Sequence, residues 1–243
     1  MTGFPGGTSL SRVRVYDWSG GDSDLAQTGG GGAPHLHLAS TEGYVVLAGH
    51  GLLETLSGSG YGEHRLSPGT VLWFTPGTVH RLVNTGGDLE ILVVMDNAGL
   101  PETGDVVLTF PRDVLADPAA YASAASLPPT RDETELATAA RRRRDLAVDG
   151  YLALRERVRA EGAGALHELW RVATALVRNR IPLWRELWRD GPLAHTVTIG
   201  DFLDNLADGG GDHLADSGVY AATAGADQFG IRGHTRTWDL ASA

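Results

Sequence analysis

Cysteine is absent from this 243-residue chain, and so is lysine: all 20 basic residues are arginine. The first absence excludes disulfides, thiolate metal sites and cysteine nucleophiles. The second excludes a Walker-type phosphate lysine and a lysine Schiff base, so the glycine-rich stretches are not phosphate loops of that kind. There is no run of about 20 apolar residues to span a bilayer. Residues 1–18 carry no apolar h-region, so no secretory signal is expected. The formal net charge of −10 argues against broad binding to nucleic acid or an anionic membrane. A soluble, cytoplasmic protein with no nucleic-acid or membrane partner is the expectation.

Glycine is abundant instead. The 33 glycines are about twice the usual share, which points to many tight turns and short strands. Residues 11–110 read as β. Strands are predicted at 11–18, 44–48, 52–56, 71–74, 81–83, 89–95 and 106–110, with turn signals at 29–32, 58–62, 67–69, 76–77 and 85–87. Many short strands at close spacing make a sandwich or barrel. Residues 111–130, rich in Pro, Ala and Ser, read as a linker or covering segment.

Residues 131–190 read as helical. Leu136, Ala140, Ala147, Tyr151, Leu154 and Val158 step by threes and fours, and Asp132 can cap the start. A second helix is predicted near 165–180, which Pro182 must break or kink. The Gly- and Asp-rich residues 191–243 are hard to assign, with a short strand at 196–199. The expected division is 1–112, 113–130 and 131–243. Between Arg141 and Arg189 stand twelve arginines and six acids, a local net of +6 in an acidic chain. Within it, Arg141–Arg144 point around most of a helix circumference and make no single face, so a solvated, structural role is preferred over a nucleic-acid patch. The Trp/Arg-rich stretch 165–189 reads as a helix packed on the barrel or on a second subunit, in preference to a membrane-surface helix.

The stretch from Gly29 to Gly49 carries the chemistry. Residues two apart in a strand share a face, so His35 and His37 can enter one cavity, and Glu42 adds a carboxylate after a turn. His80 follows a Pro76-Gly77 turn and supplies a third imidazole. Three imidazoles and one carboxylate suit Fe, Mn, Ni, Co, Zn or Cu. Such sites often keep open positions for substrate or water.

At these residues the chain resembles the cupin superfamily. The first family motif is matched at Gly29, His35, His37, Glu42 and Gly49, and the second at Gly69, Pro76, Gly77, His80 and Asn84. Two spacings depart: six residues separate Gly69 from Pro76 where the family has five, and Gly77 follows Pro76 directly. The turn before His80 is therefore shortened or shifted. The resemblance spans about residues 11–110 and implies a mainly β, jelly-roll barrel with one divalent transition metal in its mouth, followed here by an α-helical C-terminal extension. It does not imply a reaction.

Alternation from Glu42 puts Tyr44 and Val46 on the ligand side. Tyr44 can contact substrate or act as a general acid, although a core tyrosine is commoner. Trp73 or Phe74 can line the cavity or the wall. His50 and His64 read as surface residues, Arg81 as pointing away from His80, and Asn84 as satisfying backbone groups. His195, His213 and His234 show no metal spacing, and residues 201–216 lack the ordered pattern of a Ca²⁺ loop. The functional expectation is a metal-dependent enzyme on a small oxygenated or carbohydrate-like substrate, of dioxygenase or isomerase/epimerase type, working as a homodimer. The alternative is a non-catalytic small-molecule-binding or regulatory cupin, for which no helix-turn-helix signature appears. A third option gives the metal a structural role.

Overall fold

The computed structural model describes residues 4–18 and 30–240. Gly29, the first glycine of the first motif, lies outside the described residues. Two antiparallel sheets face each other as the jelly-roll barrel. One contains β1 (Ser9–Val15), β4 (Glu42–Ala48), β7 (Val71–Phe74), β9 (Glu90–Met95) and three C-terminal strands, β11 (Thr223–Ala224), β12 (Gln228–Phe229) and β13 (Gly233–Asp239). Its order is β11-β13-β1-β9-β4-β7, with β12 paired to β13. The other contains β2 (Gly30–Gly31), β3 (His35–Leu36), β5 (Gly51–Ser57), β6 (Gly60–Leu66), β8 (Val79–Asn84) and β10 (Val107–Leu108), in the order β10-β3-β8-β5-β6 with β2 on β8.

Alternation explains why these segments are strands. On β4, Glu42, Tyr44 and Val46 are buried while Gly43 and Val45 are less so. Tyr44 and Val46 join Val13, Val15, Leu53, Leu82, Ile91 and Val93 in a core between the sheets. Every residue of β8 is buried, because helices cover the outer face of this sheet. There a second core forms, with Leu56, Val79, Phe110, Tyr151, Leu154, Leu166 and Trp184.

The covering layer is helical. Residues 111–130 hold two short helices, α1 (Arg112–Ala116) and α2 (Pro118–Ala125), where a linker or cover was expected. In α3 (Glu133–Glu161) the Asp132 side chain accepts the N–H groups of Thr134 and Glu135 at 2.8 and 3.1 Å, satisfying two orphan donors as the sequence predicts. Its stripe of Ala140, Ala147, Tyr151, Leu154 and Val158 is buried. Gly150 is part of the reason α3 can lie so close: a Cβ there would stand 2.1 Å from the Thr109 carbonyl oxygen. α4 (Leu166–Val177) gives way through a short turn at Arg178–Arg180 to α5 (Ile181–Trp188). Pro182 falls in the first turn of α5, where a missing N–H is no loss.

Three expectations are corrected. Residues 196–199 are not a strand; they belong to α6 (Ala194–Ala207). Their β-branched run favours a strand, but the Thr196 and Thr198 hydroxyls donate back to the Pro192 and Ala194 carbonyls, four residues earlier. The stretch 58–62 is not merely a turn, because β6 begins at Gly60. The tetra-arginine run is not wholly solvated either, since Arg143 and Arg144 are buried. Arg144 donates to the Trp18 carbonyl at 2.8 Å with its guanidinium 5.5 Å from the Trp18 ring centre, a cation–π contact. Arg143 donates to the carbonyls of Ala125 and Gly230. Among the described residues no helix is long and apolar enough to cross a membrane.

Candidate metal centre

β3, β4 and β8 bring the predicted ligands together. His35 lies directly opposite His80 in the β3–β8 pairing, and Glu42 opens β4 on the inward face. His35, His37, Glu42 and His80 are all buried, and one ligand atom from each lies within 4.8 Å of the others. The Nε2 atoms of His35 and His80 are 2.9 Å apart. Glu42 Oε2 stands 3.3 Å from His37 Nε2 and 3.1 Å from His80 Nε2.

The other nitrogen of each ring settles which one is free. His35 Nδ1 donates to the Ala33 carbonyl at 2.8 Å, His80 Nδ1 to the Thr78 carbonyl at 3.1 Å, and His37 Nδ1 to the Asp105 carbonyl. A carbonyl only accepts, so in the neutral ring the proton sits on Nδ1 and the lone pair on Nε2. Three lone pairs thus converge on one carboxylate. His37 Nε2 and Glu42 Oε2 are buried without a hydrogen-bond partner. Orphaned donor atoms in this arrangement fit a divalent ion, and carbonyl contacts of this kind orient histidine ligands.

Burial keeps the rings neutral. It is the largest influence lowering His35 well below the ordinary imidazole value, with repulsion from His80 and His37 adding to it. Burial also takes His37 down to about 4 and His80 to about 3. The three imidazoles are therefore in the form that can bind a metal at neutral pH.

Backbone anchors hold the segment between His37 and Glu42. The Asp105 carboxylate accepts the N–H groups of Leu38, Ala39 and Ser40, at 2.7, 3.0 and 2.8 Å. Asp96 accepts that of Thr41 at 2.7 Å. On the His80 side, Thr75-Pro76-Gly77-Thr78 forms a turn closed by the Thr78 N–H on the Thr75 carbonyl, with Gly77 at φ +85°. Proline second and a left-handed glycine third fit a type II turn, and this is the local form of the shortened motif. The Gly77 N–H donates to the His37 carbonyl, and the Trp170 indole of α4 donates to the Gly77 carbonyl at 2.9 Å. The helical region thus touches the turn that delivers His80.

Tyr44 faces the same cavity as Glu42 and is fully buried, with its hydroxyl unpartnered. Burial raises its phenol far above the ordinary range, so it stays neutral and can donate a proton or hydrogen bond. Phe74 faces inward with its ring 4.3 Å from His80, whereas Trp73 is 72% exposed. His50 and His64 are exposed. Arg81 points to the helical side, 3.1 Å from Glu54. Asn84 donates to the Val15 carbonyl and accepts from the Gly87 and Leu89 N–H groups.

Sequence reading missed Arg232. Its buried guanidinium pairs with Glu42 Oε1, the oxygen turned away from His37 and His80. Burial lowers its pKa to about 10, which leaves it charged at neutral pH. No spacing signals it, because it comes from the tail and reaches the site only through the pairing of β13 with β1. Asp105 was also missed, for the same lack of a local pattern.

The family model described as a cupin domain matches residues 25–95. No curated protein matches the chain. Solved structures similar to part of it include KdgF from Halomonas sp., at 25% identity over 27% of this chain and 56% of that one, with a TM-score of 0.24. A predicted oxalate decarboxylase from Thermotoga maritima is 20% identical over 37% of this chain and 64% of that one, TM-score 0.27. A Klebsiella pneumoniae protein with a double-stranded β-helix domain is 17% identical over the same shares, TM-score 0.27. The chain spans less than two thirds of each of these proteins.

Proposed function

We propose, from the match of residues 25–95 to the cupin-domain family model and the buried His/Glu cluster, that this protein is a metal-dependent enzyme acting on a small oxygenated or carbohydrate-like substrate. Its ion would be one of Fe, Mn, Ni, Co, Zn or Cu, held by the Nε2 atoms of His35, His37 and His80 and by Glu42 Oε2. The observation that carries the reading is the set of three Nδ1 atoms engaged with carbonyls, which aims three lone pairs at one buried carboxylate. Such an ion supplies Lewis-acid chemistry, or dioxygen activation if it is iron. The chain's own groups do the rest. Phe74 and Tyr44 wall the site against water. Tyr44 offers the neutral hydroxyl of a hydrogen-bond or proton donor. Arg232 holds Glu42 Oε1 and turns Oε2 to the imidazoles. Dioxygenase and isomerase or epimerase chemistry both suit these groups.

A second reading, a non-catalytic binding protein, is favoured by burial: the four ligands are between 0% and 5% exposed. Elemental analysis of the purified protein beside a His35→Ala, His80→Ala double variant tests the ion. Near-stoichiometric transition metal in the parent, lost in the variant, is the expected result. A parent that takes up none after anaerobic reconstitution overturns the metalloenzyme reading.

A homodimer belongs to the same proposal. Leu47, Val71 and Trp73, on neighbouring strands of the first sheet, are 45%, 62% and 72% exposed. Apolar surface of this kind suits a second copy.

A further inference from the structure

The C-terminal tail places one strong charge where no motif asks for it. Residues 230–233 cross the end of the barrel as a strap. The Gly230 carbonyl accepts from Tyr16 Oη and Arg143 Nη2, at 2.9 and 2.8 Å, and the Ile231 carbonyl accepts the Ala33 N–H at 2.8 Å. Gly32 lets the strap lie this close, since a Cβ there would be 2.7 Å from Arg232 Cα. The strap is thus fixed before Arg232 by these bonds and after it by the pairing of Gly233 with Val15, and the Arg232 side chain is only 10% exposed.

One feature of that guanidinium points beyond holding Glu42. Nη1 meets Glu42 Oε1 while the buried Nε meets no acceptor. A buried guanidinium presents a planar fork, and an unmet donor on it is costly. A carboxylate, with two coplanar oxygens, matches that fork.

We propose that Arg232 is a specificity-determining residue that selects a carboxylate-bearing ligand at this centre, with a second oxygen of the ligand directed to the ion. This rests on the metal reading above. The α-hydroxy acids are the simplest class with both groups.

The test uses cobalt(II)-loaded full-length protein with glycolate and its uncharged analogue glycolamide. Binding is followed by calorimetry and by the visible absorption of the cobalt, in the parent, Arg232→Lys and Arg232→Gln. Glycolate affinity should fall in that order, by about tenfold or more at Arg232→Gln, the size of one lost charged hydrogen bond. Glycolamide should stay within about twofold throughout. Equal losses for the two ligands, or none, overturn the proposal. A loss of cobalt stoichiometry in Arg232→Gln also overturns it, and makes Arg232 a positioning residue for Glu42. Should Arg232→Gln fail to fold, the parent-to-lysine step decides, because lysine keeps the charge and loses the fork. A parent that takes up no cobalt fails the metal reading before any ligand is added. The same titration of chelator-treated protein then reads Arg232 alone: a glycolate preference lost on substitution supports it, and no preference overturns it.

Discussion

The Nε2 atoms of His35 and His80 face each other at 2.9 Å while each ring spends its only proton on a carbonyl. In the chelator-treated protein this pair should make stability fall with acid. The folded rings titrate far below the ordinary value of about 6.5, His37 at about 4 and His80 at about 3. Below pH 6.5 the unfolded chain therefore binds protons that the folded chain refuses. The contribution is complete above that pH and is lost as pH falls toward the folded values, by up to about 1.4 kcal/mol per pH unit for each ring. Urea midpoints at pH 7.5, 6 and 5 measure this. Equal midpoints at all three pH values rule the account out.

Asp105 fixes three successive N–H groups and, through its carbonyl, the ring of His37. Asp105→Ala orphans buried donors, so a loss of roughly 2–4 kcal/mol in stability is expected. Metal affinity should fall about 10-fold or more, because the loop carrying His37 is released. Thermal melts with metal titrations check both. Unchanged affinity in a folded variant rejects the anchoring role.

Gly150 inverts a general rule. Alanine normally stabilises a helix interior by about 1 kcal/mol over glycine. Here the added methyl would meet Thr109 O at 2.1 Å and the Phe110 carbonyl carbon at 2.5 Å. Gly150→Ala should therefore destabilise by about 1–3 kcal/mol as α3 is pushed off the barrel. A variant with a raised melting temperature contradicts this contact.

The exposed Trp73 gives the homodimer a direct check. The parent should sediment as a dimer at micromolar concentration, and Trp73→Arg as a monomer with its fold retained by circular dichroism. A monomeric parent rejects the dimer.

The clustering of His35, His37, Glu42 and His80 was legible because each sits in a local pattern: two histidines spaced for one face, a glutamate one turn on, and a histidine behind a Pro-Gly turn. β1, β4, β5, β7, β8 and β9 were legible through alternation and turn signals, and α3 through its apolar stripe and Asp132. Arg143 and Arg144 were not, because burial of an arginine depends on a carbonyl supplied from far along the chain, here by Gly230 and Trp18. Residues 196–199 misled through propensity, since β-branching alone does not report hydroxyls bonded back into a helix. Arg232 and Asp105 owe their positions to strand pairing, which single-sequence spacing does not encode.

The pairing of β13 with β1 has a consequence for how the molecule comes into being. These strands form a register from Ser11 opposite Thr237 to Val15 opposite Gly233, with nearly the whole chain between them. During synthesis β1 can pair with β9 well before β13 emerges, and contacts so distant in sequence form slowly. A nascent barrel can already gather its imidazoles, but it lacks the charge at their side. On the proposed reading, the ability to discriminate among ligands thus arrives later in synthesis than the ability to gather an ion.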